Sequence, residues 1–405
     1  MVPIVVITYN RPDSLSRLLD SLNNSYYFTD VTLIISIDGQ AENSISIAEN
    51  FNWQHGKKRI ITQSKRLGLK DHILKCGDLA LENDGVIVLE DDLYVARDFY
   101  NFALQALNYY NHQDNIAGIS LYSHRFNETA QLPFTPLYEG KDVFFIQHPS
   151  SWGQCWSKSQ WSEFRNWYNS GGMEKIPDDG TIPENVLLWP HSSWKKYFVK
   201  YMVTKDKYFV YPQDSFSTNF CEPGQHYMNK EYYLQVPLTF GGKKYDFTLP
   251  EDAIAIYDSF MEMSPESIKK QNSNLKDLEF VVDLYGTKNI NRIDTPLVLT
   301  SKYCTEKIMN FGLELKPHEM NILDNIPGNH FSLARKEHCV NDPYLKRLEL
   351  IHNAHTVDYY YGMRHFIKNP VQKIIPQTIR HNKYFFRFSS KIYFTIKRTL
   401  RLINK

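Results

Sequence analysis

Long apolar runs are missing from this chain. No window approaches the roughly 18 uncharged apolar residues that a membrane-crossing helix needs, so none is expected. Cysteine is scarce as well. Cys76, Cys155, Cys221, Cys304 and Cys339 are scattered, odd in number and without a CxxC pair. That excludes a disulfide framework and a thiolate metal site, and points to free thiols in a reducing compartment. The first residues run straight into an apolar segment with no basic stretch before it, so no signal peptide is expected. Net charge is only +1, which gives bulk charge no part in binding nucleic acid. Glycine is absent from Thr8-Tyr9-Asn10-Arg11-Pro12-Asp13-Ser14, the turn after the first apolar run. A nucleotidyltransferase would be expected to grip phosphate there with a glycine-rich loop. One further absence is local: Tyr359 to Lys405 holds no Asp or Glu but eleven Lys and Arg. No internal repeat is visible.

The length suits one large or two ordinary domains, and 42% apolar residues can bury a sizeable core. Aromatic residues are abundant, with 27 Tyr, 24 Phe and 7 Trp. The chain is organised around Gly85–Asp98. There Val86-Ile87-Val88-Leu89 reads as a buried parallel strand and ends in Glu90, Asp91 and Asp92. Open α/β sheets place ligands at the carboxyl ends of their strands. Three adjacent carboxylates repel one another, so a hard divalent cation that itself holds a diphosphate fits among them. The plainer alternative is a solvated acidic turn starting the helix at Asp98.

The preceding residues set that strand in a repeating rhythm. Val2–Thr8 reads as a strand and Pro12 as a helix start, with Leu15, Leu18, Leu19 and Leu22 at helical spacing. A strand at Val31–Ile37 ends in Asp38-Gly39. A helix at Ser44–Phe51, a strand at Arg59–Thr62 and a helix from Leu69 to near Asn83 follow. This alternation predicts an α/β fold with a mostly parallel central sheet. Thr8 and Arg11, Asp38, and Glu90 to Asp92 should then share one edge.

Here the sequence resembles a known family. VVITYNRPDSLSRLLDSL, SIDG, RLGL and VLEDDLYVARDFY are similar to family 2-type glycosyltransferases of the GT-A fold. The last segment resembles the acidic motif of the N-acetylglucosaminyltransferase I family. The resemblance covers residues 2–110 and fades by about 230. It implies a GT-A fold with helices on both sheet faces and C-terminal accessory helices. By the same resemblance Glu90 and Asp91 contact the ribose and sugar of a nucleotide-sugar, and Asp92 binds manganese or magnesium. Asp38 reads uracil, Thr8 and Arg11 hold nucleoside and diphosphate, and Gly68 belongs to the donor site. His226 is placed as a second metal or diphosphate ligand, with Glu222 nearby in sequence. Trp152 and Gly153 shape the sugar and acceptor pocket, whereas Trp156 and Trp161 suit the core. The general base of the resembled family lies in a Trp-Asp-Asp-Trp segment, but the local match is Trp194-Lys195-Lys196-Tyr197. Asp178, Asp179 and Glu184, in the Pro/Asp/Gly-rich loop Met173–Pro190, are substitutes.

The expected organisation is a nucleotide-sugar-binding half at 1–115, an acceptor-binding half at 116–260, an accessory α+β segment at 261–350 and a basic aromatic tail at 351–405. Strands are expected at Tyr232–Leu238, Tyr245–Leu249, Leu278–Leu284 and Thr295–Leu299. In Lys383–Lys405 bulky apolar residues interleave with Lys and Arg, which suits the plane of an anionic membrane. The expected activity is metal-dependent inverting transfer from a UDP-sugar to a glycan or lipid-linked hydroxyl. Its expected place is the cytoplasmic face of a membrane, in cell-surface polysaccharide synthesis. The alternatives are a non-catalytic nucleotide- or glycan-binding protein and a nucleotidyltransferase.

Overall fold

Every residue of the first strand, β1 (Ile4–Thr8), is buried. Val5 and Ile7 enter one apolar layer while Ile4 and Val6 enter another, so the strand needs cover on both faces. The computed structural model, which describes residues 1–174, 178–220 and 234–341, supplies it with helices. β1 leads into α1 (Pro12–Asn23), β2 (Leu33–Ile37) into α2 (Glu42–Asn50), and β3 (Lys58–Thr62) into α3 (Leu69–Gly77). Pro12 sits in the first turn of α1, where its missing N–H costs nothing, and Leu15, Leu18, Leu19 and Leu22 form the buried stripe. β4 (Gly85–Glu90) completes a parallel set ordered β4-β1-β2-β3. The short β5 (Leu93–Val95) and α4 (Phe99–Tyr110) follow.

The sheet then grows on the other side of β4. β6 (Ile116–Ser120), the small hairpin β7 (Phe126–Asn127) and β8 (Leu132–Pro133), β9 (Val143–Ile146) and β10 (Gln154–Ser157) come next. After them lie α5 (Lys158–Trp167), α6 (Glu184–Leu187), α7 (Trp194–Thr204), β11 (Tyr208–Pro212), β12 (Ser217–Asn219) and β13 (Ile256–Tyr257). The result is a nine-stranded sheet, β13-β9-β11-β6-β10-β4-β1-β2-β3. Most neighbours are parallel, but β10 runs against both β4 and β6, and β9 against β11. α5 is fixed at its start by a capping box between Ser157 and Gln160. Trp156 and Trp161 are fully buried and pack on each other at 4.6 Å, as core residues.

The last described part holds α8 (Pro265–Gln271), β14 (Phe280–Asp283), β15 (Leu297–Thr300), β16 (Met309–Phe311), α9 (Met320–Leu323) and β17 (Phe331–Arg335). Its four strands form a separate sheet, β14-β15-β17-β16. Phe280, Val282, Phe331 and Leu333 join the same apolar layer as Val5 and Ile7, so this sheet extends the main core.

Three local expectations change. Tyr245–Leu249 pairs with no strand, because its side chains turn onto α4: the Tyr245 hydroxyl donates to Asp98, and the Tyr110 hydroxyl to the Thr248 carbonyl at 2.7 Å. The Met173–Pro190 loop contains α6, seated by Val186 in a small apolar cluster with Ile182 and Val199. Tyr232–Leu238 is no strand over its described residues, 234–238, where Leu238 makes only an isolated bridge to Ser215. Among the described residues no helix is long and apolar enough to cross a membrane. Cys76, Cys155, Cys304 and Cys339 are free thiols. The tail 351–405 lies outside the described residues.

His72 ties α3 to the sheet: its Nε2 lies 2.7 Å from Ser36 Oγ, and the residue is buried. Burial pushes its pKa down to about 4; Asp38 opposes this and Lys75 adds to it. The native ring stays neutral while the unfolded chain takes up a proton below about pH 6.5. Acid therefore favours unfolding, and stability attributable to this group falls as pH drops from about 7 towards 4. His72→Gln is expected to remove about 2 kcal/mol of the stability difference between about pH 7 and pH 5, read from urea midpoints.

Candidate functional site

Strand register brings the rim together. β1 pairs Thr8 with Ile37 of β2 and Ile7 with Glu90 of β4. Asp38 follows Ile37 directly, and its N–H donates to the Thr8 carbonyl at 2.9 Å. Thr8, Asp38 and Glu90 to Asp92 thus share one edge of the sheet, as their positions after the strands imply.

Asp38 is buried and accepts from the backbone N–H groups of Leu67, at 2.6 Å, and Gly68, at 3.0 Å. The carboxylate pins the loop entering α3. Gly68 caps that helix at φ +82°, a conformation suited to glycine, and nothing lies within 4 Å of where a Cβ would be. Next to it the Arg66 guanidinium lies over the Tyr9 ring at 4.3 Å. Tyr9 and Arg66 therefore form a flat pair on the rim that sequence reasoning did not single out.

The acids are interlocked. Thr8 Oγ1 donates to Asp91 Oδ2 at 2.8 Å, and one Arg11 nitrogen donates to Asp91 Oδ1 at 3.3 Å and Asp92 Oδ2 at 3.0 Å. Burial raises the Asp91 pKa to about 6, with Asp92 adding to it, while Thr8 and Arg11 pull it back. Burial, then Asp92 and Asp91, hold the Glu90 carboxyl well above the usual range. Glu90 Oε1 and Asp92 Oδ1 are buried without a hydrogen-bond partner among the described residues. Among those residues no group of three or more His, Cys, Asp or Glu could cage a metal. The donor set thus suits a cation that takes one or two carboxylate oxygens here and completes its shell from phosphate and water. The free Asp92 Oδ1 is the atom that fits it. Phe220, just beyond β12, donates its N–H to the Asp92 carbonyl at 3.1 Å. Glu222 and His226 lie outside the described residues.

The opposite wall comes from β10 and α7. Gln154 faces Val88, so continuing the antiparallel register brings Trp152 alongside Glu90. Gly153 has φ +91°, and a Cβ there would meet Ser217 Oγ at 3.1 Å and Leu121 Cβ at 3.2 Å, so a side chain would be strained by the backbone and would push its neighbours. Trp152 is half-buried, with its ring 4.7 Å from Tyr122 and 5.8 Å from His124. The first turn of α7 separates its two lysines. Lys196 turns inward and donates to the carbonyls of Leu187, at 2.7 Å, and Trp189, at 2.6 Å, capping the end of α6. Lys195 turns to the site, with Nζ 5.6 Å from the Trp152 ring centre and 5.3 Å from that of Trp189. Burial lowers its pKa, against the pull of Glu128 and then Glu90.

The acids of the Met173–Pro190 loop are placed differently. Asp178 pairs with Arg292, and Asp179 accepts from the N–H and hydroxyl of Thr181 at 3.0 and 2.6 Å. Glu184 is exposed in the first turn of α6. None of the three has a hydrogen bond or ion pair to Thr8, Arg11, Asp38 or the acidic triplet. Glu128, one residue past β7, is half-buried and has no side-chain hydrogen bond or ion pair among the described residues. It bears electrostatically on Lys195 and Tyr211. As a lone acid outside any motif, it carried no sequence signal.

Solved structures similar to this chain at low identity include the following two. Residues 1–349 of TarS from S. aureus, in a complex with UDP-GlcNAc, align at 12% identity and TM-score 0.37, covering 56% of this chain and 60% of that one. Mouse xyloside xylosyltransferase 1, in its apo form, aligns at 11% identity and TM-score 0.33, covering 51% of this chain and 83% of that one. This chain therefore spans about 60% of the TarS fragment it matches. In sequence, residues 4–159, which hold the rim, the acidic triplet and the Trp152–Gly153 turn, match the model of glycosyl transferase family 2.

Proposed function

We propose that this protein transfers a sugar from a nucleotide-sugar, of the UDP type, to a hydroxyl of a glycan or lipid-linked acceptor with inversion. The observation that carries the reading is the Thr8–Asp91–Arg11–Asp92 network at the tips of β1 and β4, facing Trp152. Thr8 and Arg11 hold nucleoside and diphosphate, Glu90 and Asp91 contact ribose and sugar, and Trp152 offers a flat face to the sugar's C–H side. Asp38 shapes the uracil site through the Leu67–Gly68 backbone it holds. Asp92, with His226 as second ligand, would hold a divalent manganese or magnesium ion. That ion supplies neutralisation of the charge developing on the departing diphosphate. Arg11 adds a fixed positive charge to the same place.

The acceptor hydroxyl needs a base within hydrogen-bonding reach. Glu128 has the best standing, being half-buried, unpartnered among the described residues and on the Lys195 side of the site. Glu184 is next, and Asp178 and Asp179 follow because Arg292 and Thr181 engage them. The basic tail Lys383–Lys405 completes the reading as a membrane contact near lipid-linked acceptors at the cytoplasmic face, in surface polysaccharide synthesis. That part rests on its composition alone. A second reading, a binding protein without turnover, is favoured by Lys195 and Lys196 standing where the resembled family has acids.

UDP with manganese is expected to raise the melting temperature, and Asp92→Asn to remove the manganese-dependent part of that rise. Absence of any UDP-induced rise in the native chain would overturn the reading. Release of free UDP from a UDP-sugar in the presence of acceptor separates the enzyme from the binding protein. With turnover established, Glu128→Gln is expected to lower it by about 100-fold or more while leaving the UDP-induced melting shift intact. Glu184→Gln is expected to retain most of the turnover.

A further inference from the structure

Five side chains from four separate segments close a ring beside Glu90. Starting from Lys195 Nζ, the Trp152 ring centre is 5.6 Å away, and Trp152 lies 5.8 Å from His124. His124 is 5.9 Å from His148, His148 is 5.9 Å from Trp189, and Trp189 returns to Lys195 Nζ at 5.3 Å. The loop after β6 gives His124, the β9–β10 connection gives His148 and Trp152, the segment after α6 gives Trp189, and α7 gives Lys195.

The ring's hydrogen-bonding capacity is unspent. Among the described residues Lys195 makes no hydrogen bond or ion pair, and the Nε2 atoms of His124 and His148 are buried without partners. The contrast with Lys196 is informative, since that neighbour has two carbonyls within 2.7 Å. Lys195 is half-buried, and an ammonium partly withdrawn from water with no acceptor beside it favours an arriving anion. Both histidines are held neutral, by burial and then by Lys195. Lys195 therefore carries the ring's positive charge. Glu128 and Glu90 face it, but neither forms an ion pair with it.

We propose that this ring is the acceptor subsite and that Lys195 holds an anionic group, a phosphate or a carboxylate, on the acceptor. Trp152 and Trp189 flank that group with apolar surface suited to sugar or polyol carbons. This deepens the glycosyl-transfer reading and rests on it. A neutral acceptor would give the ammonium nothing stronger than hydroxyl oxygens, whereas an anion makes the charge-assisted bond that offsets its desolvation.

The test titrates the full chain, saturated with UDP and manganese, with three probes followed by tryptophan fluorescence. Methyl glucuronide carries a carboxylate, glycerol 3-phosphate a phosphate, and methyl glucoside no charge. One of the anionic probes is expected to bind about tenfold tighter than methyl glucoside, and the stronger of the two identifies the source of the charge. Lys195→Met is expected to erase that preference, Lys195→Arg to keep it, and both to retain the UDP-induced melting shift. Equal binding of charged and neutral probes, no binding of any probe, or a preference that survives Lys195→Met would overturn the proposal. So would loss of the UDP-induced shift in Lys195→Met alone, which would assign the lysine to the donor diphosphate. If the native chain shows no UDP-induced shift, the underlying glycosyl-transfer reading is what fails.

Discussion

Three consecutive carboxylates at the tip of a buried strand are the constraint on which the site depends. Glu90 is carried there by β4, which is apolar along its length, and Asp91 and Asp92 follow before the chain can turn into β5. Burial, and then the neighbouring carboxylates, raise the pKa of Glu90 and Asp91, and Arg11 and Thr8 only partly compensate. A folded protein keeps such a cluster when something positive or hydrogen-bonding arrives to complete it. The unpartnered Asp92 Oδ1 and Glu90 Oε1 are where the completion is missing.

The rest of the sheet serves this cluster by register. Parallel pairing of β1 with β4 sets Thr8 beside the acids, and parallel pairing with β2 sets Asp38 at the same height. Antiparallel β10 then does what a parallel strand could not: it begins at the rim, so the Trp152–Gly153 turn faces the strand ends directly. Gly153 permits the close approach, because a side chain there would crowd Leu121 and Ser217. α7 closes the wall by a division of labour at its first turn. Lys196 locks α6 in place, and that lock positions Trp189 against Lys195.

The two walls differ in kind. The wall at the tips of β1 and β4 is ionic and interlocked, with Arg11 shared between two carboxylates. The far side is aromatic and open in its hydrogen bonding, with Lys195 held between two indoles.

The sequence by itself determined the rim. Alternating strand and helix patterns, with polar residues directly after each apolar run, require Thr8, Asp38 and the acidic triplet to meet, because parallel strands of similar length end together. It also determined that Trp156 and Trp161 are core. Only the tertiary structure decided the other wall. Reversal of β9 and β10 has no local signature, since a short apolar run reads alike in either direction. Whether Lys195 or Lys196 faces the site depends on how α7 is rotated against α6. The engagement of Asp178 by Arg292 joins residues more than a hundred positions apart. Glu128 gains its place from the β7–β8 hairpin, whose Leu132 packs into the main core. Contacts of this kind are fixed by packing between distant segments, and no local pattern of residues encodes them.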